Sequence, residues 1–139
     1  MILLDTCVVS ELARPKPEPA VVRWLDATPE VQLHVSVLTI GEIERGCSQL
    51  PAGARRRRLE EWLEGMVGTF SDRIVGVDSE TARLWGRITA QAARKGRVVG
   101  VVDGLIAASA LRHGLSVATR NVDDFAPTGV RLLNPFPRS

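Results

Sequence analysis

Acidic residues recur in this chain where short apolar segments end or small-residue helices begin. Asp5 follows Ile2-Leu3-Leu4, and Glu42 closes Thr39-Ile40-Gly41-Glu42. Asp103 stands at the start of Val101-Val102-Asp103-Gly104-Leu105-Ile106-Ala107-Ala108-Ser109-Ala110, and Asp123 and Asp124 lie within Arg120-Asn121-Val122-Asp123-Asp124-Phe125. Three or four carboxylates sharing a cleft repel one another unless a cation offsets them. No Cys or His cluster accompanies them, and oxygen-only ligation suits Mg²⁺ or Mn²⁺. Each acid also has a purely structural reading. Asp5 with Thr6 can cap the next helix, and Glu42 can complete a capping box with Thr39. Asp103 can be an N-cap, and Asp123 and Asp124 can be turn residues. The choice depends on whether the elements bring these groups together.

Those elements read as alternating strands and helices. Ile2-Leu3-Leu4 is an apolar run expected to form a strand buried on both faces. Val8, Val9 and Leu12 indicate a short helix, broken by Pro15, Pro17 and Pro19. A helix over 20–27 precedes a strand at Gln32-Leu33-His34-Val35-Ser36. Thr39 then opens a helix to about Leu50, and Arg55-Arg56-Arg57-Arg58 begins another, with Leu59, Trp62, Leu63 and Met66 apolar. A third strand is expected over 73–77. Asp78 or Ser79 caps a helix from about Glu80 to Lys95, with Ala82, Trp85, Ile88 and Ala92 on one face. The linker 96–100 leads into the Asp103 helix, which ends at His113-Gly114. Strands over 115–119 and 130–133 flank the last acidic segment. This order predicts an α/β fold of three α/β/α layers, with a mostly parallel sheet and helices on both faces. Asp5, Glu42, Asp103 and the Asp123-Asp124 pair then all reach one edge of the sheet.

Composition sets the frame. The chain has 139 residues, 45% hydrophobic and 24% charged, with a formal net charge of +2. It reads as a single domain over 1–139 with one real core. The charge permits a polyanionic partner without demanding one. No apolar run is long enough to span a membrane, and the first residues do not read as a signal peptide. Cys7 and Cys47 lack ligand-like spacing and read as thiols of a cytoplasmic protein.

The blocks Leu3-Leu4-Asp5-Thr6, Thr39-Ile40-Gly41-Glu42, Val102-Asp103-Gly104-Leu105-Ile106-Ala107-Ala108 and Thr119-Arg120-Asn121-Val122-Asp123-Asp124-Phe125 resemble the four blocks of PIN-domain ribonucleases. More closely, the chain resembles the VapC/FitB-type toxins of bacterial toxin–antitoxin pairs. Each block alone is weak, but the four occur in order across almost the whole chain. The resemblance implies a PIN-like sheet of order 3-2-1-4-5 and Mg²⁺- or Mn²⁺-dependent cleavage of RNA. It also implies a homodimer and a small DNA-binding antitoxin of the VapB/FitA kind. Asp5, Glu42, Asp103 and Asp124 are the expected catalytic and metal residues, with Asp123 and Asn121 as further candidates for the fourth position. Thr6 and Thr119 are expected to support them. Arg120, Arg97, Arg55 and Arg56 are candidate contacts to the RNA backbone. Two positions depart from the family pattern. Cys7 stands where an Asn is common, and Asn121 occupies a place where some members carry Asp.

A cation held by these acids would activate water against the scissile phosphate, leaving 5′-phosphate and 3′-hydroxyl ends. Other classes fit less well. A response-regulator-like domain would want paired early acids and a late Lys, but Asp5 stands alone and no Lys follows Lys95. A non-catalytic protein- or RNA-binding module of the same fold would be favoured by an incomplete acidic set. The bland reading of the Arg55–Arg58 run is a solvated helix face. His34 and His113 read as structural or surface residues, and Trp24, Trp62 and Trp85 as packing.

Overall fold

Residues 1–138 are described by a computed structural model. Strand β1 (Ile2–Leu4) is central, and its alternation accounts for the layering. Leu3 faces one cluster, with Val117, Ile106 and Phe125, while Leu4 faces another, with Val8, Val35, Ile43 and Leu63. Successive strand residues point to opposite faces, so an all-apolar strand needs cover on both.

Among the described residues, seven α-helices provide that cover. In chain order the elements are β1, α1 (Thr6–Leu12), α2 (Pro19–Asp26), β2 (Leu33–Ser36), α3 (Val37–Gln49), α4 (Ala54–Thr69) and β3 (Ile74–Val75). There follow α5 (Ser79–Arg94), α6 (Val101–His113), β4 (Ser116–Ala118), α7 (Val122–Phe125) and β5 (Leu132–Leu133). The sheet order is β3-β2-β1-β4-β5, and every strand pairing is parallel. The expected three-layer α/β/α fold and strand order are met.

Boundaries differ from the sequence reading in instructive ways. The third strand covers only Ile74–Val75, because its partner β2 ends at Ser36, where α3 begins. The last strand likewise shrinks to Leu132–Leu133. Helix α3 starts at Val37 rather than Thr39, since the Ser36 side chain caps it by accepting from the Leu38 N–H at 3.0 Å. The Thr39–Glu42 capping box is therefore not formed.

Helix α6 is buried along most of its surface through Gly104, Ile106, Ala107, Ala108, Ser109 and Ala110. The sequence predicts close approach to the sheet, and the structure adds a second neighbour, α5. A Cβ on Gly104 would stand 2.9 Å from Cδ1 of Trp85, so only glycine lets these helices meet at this distance. The helix stops at Gly114, whose φ of 68° is left-handed and costs glycine little.

Candidate functional site

In a parallel sheet all strands end on the same side, and connecting helices run back against them. Asp5 directly follows β1 and Thr119 directly follows β4, two adjacent strands. Helix α3 leaves the end of β2 and carries Glu42, while α6 runs back toward β4 with Asp103 in its first turn. Topology alone thus draws four separate segments to one sheet edge.

Hydrogen bonds then orient the side chains. Asp5 is 4% exposed and caps α1, accepting from the Thr6 N–H at 2.8 Å. Its second carboxylate oxygen accepts from the Thr119 hydroxyl at 2.8 Å and from the Cys7 thiol at 3.3 Å. Thr119 in turn accepts from the Asn121 N–H at 2.9 Å. The Thr6 hydroxyl donates to Glu42 Oε1 at 2.5 Å and lies 2.9 Å from the fully buried Thr39 hydroxyl. Having spent its only proton on Glu42, Thr6 must accept from Thr39. The α1 cap and the carboxylate cluster are one structure, so capping by Asp5 leaves its second carboxylate oxygen turned toward Thr119 and Cys7.

The other carboxylates bear on Asp103. Burial first, then the charges of Asp5, Asp124 and Glu42, push the Asp103 carboxyl up to about 6. Asp124, and not Asp123, is the member of the adjacent pair whose charge reaches Asp103. Asn121 contributes its backbone N–H, and its side chain does not cap α7. Asp103 is not an N-cap, since that position is Gly100. Among the described residues no three His, Cys, Asp or Glu side chains are drawn together closely enough to hold a metal ion as they stand. The donor chemistry nevertheless fits Mg²⁺ or Mn²⁺: four carboxylates, uncompensated enough to raise one of them, with hydroxyls behind two. Like charges resist closing into a tighter set until positive charge enters.

The basic candidates separate. Arg120 lies beside the cluster, its N–H donating to Cys7 Sγ at 3.4 Å. Its guanidinium stacks 3.9 Å from the Phe136 ring centroid and stands 3.8 Å from the buried Glu11 carboxylate. Arg97 is exposed in the segment before α6. Arg56 instead donates to the Leu50 carbonyl and pairs with Glu60 within α4. That places it at the far end of α3, about 12 Å along the helix from Glu42. Arg55 adjoins it on the exposed first turn of α4. Neither is brought to the acids. Sequence reasoning noted Cys7 only as a departure from the family pattern and missed the parts played by Thr39, Glu11 and Phe136. Only the spacing of Cys7 from Asp5 carried a signal; the others meet the site through tertiary contact.

The PIN domain family model matches residues 2–129. The chain is 39% identical to a protein named VapC ribonuclease Y4jK from Sinorhizobium fredii (strain NBRC 101917 / NGR234), over 98% of both chains. It is 37% identical to Toxin FitB of Neisseria gonorrhoeae (strain ATCC 700825 / FA 1090), over 98% of this chain and 99% of that one. Among solved structures, that of FitAB bound to an IR36 DNA fragment superposes with a TM-score of 0.93 at 35% identity, covering 100% of this chain and 98% of the other.

Proposed function

The chain belongs to the PIN domain family, and on that premise we propose that it is a metal-dependent endoribonuclease, the toxin of a toxin–antitoxin pair. The observation that carries the reading is the convergence of Asp5, Glu42 and Asp124 on Asp103 at one sheet edge, with Asp5 and Glu42 fixed by Thr119 and Thr6. Those four carboxylates would hold Mg²⁺ or Mn²⁺, which supplies positive charge at a scissile phosphate and lowers the pKa of water. Asp5 is locked in one orientation by Thr119, Cys7 and the Thr6 N–H, so its oxygens meet an incoming group without rearrangement. Glu42, held by the Thr6 hydroxyl, joins the ligands or orients the attacking water. Arg120 and Arg97 are cationic side chains suited to holding the RNA backbone, and Phe136 and Glu11 limit where Arg120 can swing.

No imidazole stands with these acids. His34 Nδ1 faces the Gln32 carbonyl, and His113 ends α6, the opposite end from Asp103. The site therefore lacks the acid–base pair that attack by the RNA 2′-hydroxyl would use, and hydrolysis by water is favoured. In this reading the protein works as a homodimer and is silenced by a small DNA-binding antitoxin of the VapB/FitA kind. Likeness to Toxin FitB, and to FitAB on DNA, supports the partnership.

The test is cleavage of an RNA oligonucleotide carrying a single 2′-deoxy nucleotide at the scissile position, with Mg²⁺ or Mn²⁺. Cleavage is expected to persist, to leave 5′-phosphate and 3′-hydroxyl ends, and to stop with EDTA or with Asp5→Asn. Recovery of a 2′,3′-cyclic phosphate, or full activity in excess EDTA, would overturn the mechanism.

A further inference from the structure

Helix α5 carries cations that the site described above does not use. Arg83, Arg87 and Arg94 share one exposed face, about 6 and 10 Å apart along the axis. Gly86 and Ala90 lie between them as a floor of small residues, and with Gln91 they line an open groove of about 660 Å³. A second hollow, about 340 Å³, continues from Gln91 through Ala92, Lys95 and Arg97 to Ala126, Pro127 and Gly129. Its far wall begins two residues after Asp124, and Arg97 lies six residues before Asp103. The two hollows meet at Gln91, and they lie toward the C-terminal end of α5, which a short segment joins to the start of α6 and Asp103.

Arg83, Arg87, Arg94, Lys95 and Arg97 pair with no acid among the described residues, as is also true of other surface arginines such as Arg23 and Arg58; what sets these five apart is that they line the two adjoining hollows. Glu80 is the sole acidic residue of α5, and it stays out of ion-pair reach of Arg83. Arg94 complements the C-terminal dipole of α5, but Arg83 in the second turn and Arg87 at mid-helix have no such role. Unpaired like charges along a small-residue floor disfavour an apolar protein partner and suit a phosphodiester strand lying in the groove.

We infer that the Arg83–Arg87–Arg94 face of α5, continued by Lys95 and Arg97, is a binding track for the backbone of single-stranded RNA entering the acidic site. The inference rests on the endoribonuclease reading for the direction of the strand, but the track itself is a binding surface with its own readout. Phosphate contacts carry no base information, so the track adds length-dependent affinity rather than sequence choice.

The experiment measures binding of a fluorescent 20-nucleotide RNA to the full chain carrying Asp5→Asn, which prevents cleavage, across a salt series. The same protein with Arg83→Gln and Arg87→Gln is compared. Gln matches Arg in helix propensity, so α5 is retained, as circular dichroism would verify. A control with Arg23→Gln and Arg58→Gln removes equal charge from α2 and α4, which pack on the opposite face of the sheet. The α5 variant is expected to bind about tenfold more weakly at low salt. Its slope of log K against log salt should be shallower by about 1.4, two single-strand phosphate contacts at about 0.7 each, while the control slope is unchanged. A slope equal to that of the control overturns the track. So does a shift from dimer to monomer in sedimentation without loss of RNA affinity, which would make this face a protein interface. Wild-type protein that binds RNA through α5 but never cuts it would overturn the endoribonuclease reading and leave the track standing.

Discussion

Asp103→Asn tests the electrostatics of the site without relying on activity. In the folded protein the Asp103 carboxyl is raised from an ordinary value of 3.8 to about 6, by burial and then by Asp5, Asp124 and Glu42. Between those two values the folded chain holds a proton that the unfolded chain has released. Stability therefore rises as pH falls from about 6 toward 4, and above 6 ionised Asp103 destabilises the metal-free fold. A carboxyl raised that far corresponds to at most about 3 kcal/mol. Asp103 is only part-buried, and solvent screening cuts that to about 1–2 kcal/mol. Asn also forfeits the attraction between an anion and the α6 N-terminus, about 0.5 kcal/mol. The net gain for the variant is about 1 kcal/mol, or about 4 °C in melting temperature for a chain of this size. Thermal melts in EDTA at pH 7.5 and pH 4.5 provide the measurement. The variant should melt higher at pH 7.5, and the gap should close at pH 4.5, where wild-type Asp103 is itself protonated. Adding Mg²⁺ should raise the wild-type melt more than that of the variant. A variant that melts lower at pH 7.5, or by a gap independent of pH, would refute the assigned coupling.

Gly104→Ala should destabilise the fold by about 1–3 kcal/mol, because its methyl group would meet the Trp85 indole at 2.9 Å and that ring is rigid. Urea denaturation measures this, and a variant as stable as wild type would show that α5 and α6 separate freely. Thr6→Val keeps the shape but removes the hydroxyl that donates to Glu42 and accepts from Thr39. Stability should fall by about 1 kcal/mol and RNA cleavage by about tenfold or more, with Thr6→Ser restoring both. Equal activity in Thr6→Val would remove Glu42 positioning from the account.

Much of the architecture is legible in the linear chain for a local reason. The run Ile2-Leu3-Leu4, the proline breaks and the Asp78 cap before α5 are decided by neighbours in sequence, through backbone sterics, hydrophobic period and short-range hydrogen bonds. Alternation of strands and helices then implies parallel pairing, and parallel pairing implies one edge where Asp5, Glu42, Asp103 and Asp124 can meet.

The remaining decisions belong to contacts between segments far apart in the chain. Ser36 rather than Thr39 caps α3, because Thr39 is buried against Thr6 and its hydroxyl is already taken. Asp124 rather than Asp123 acts on Asp103, as adjacent positions of the short α7 project in directions about 100° apart. Arg56 is held at the C-terminal end of α3 by Leu50 and Glu60, while Arg83 and Arg87 are left without partners on α5. A side chain's type and its place in an element are local properties. Which proton, charge or ring it meets depends on chain segments tens of residues away, as when Thr119 closes on Asp5 across 114 positions.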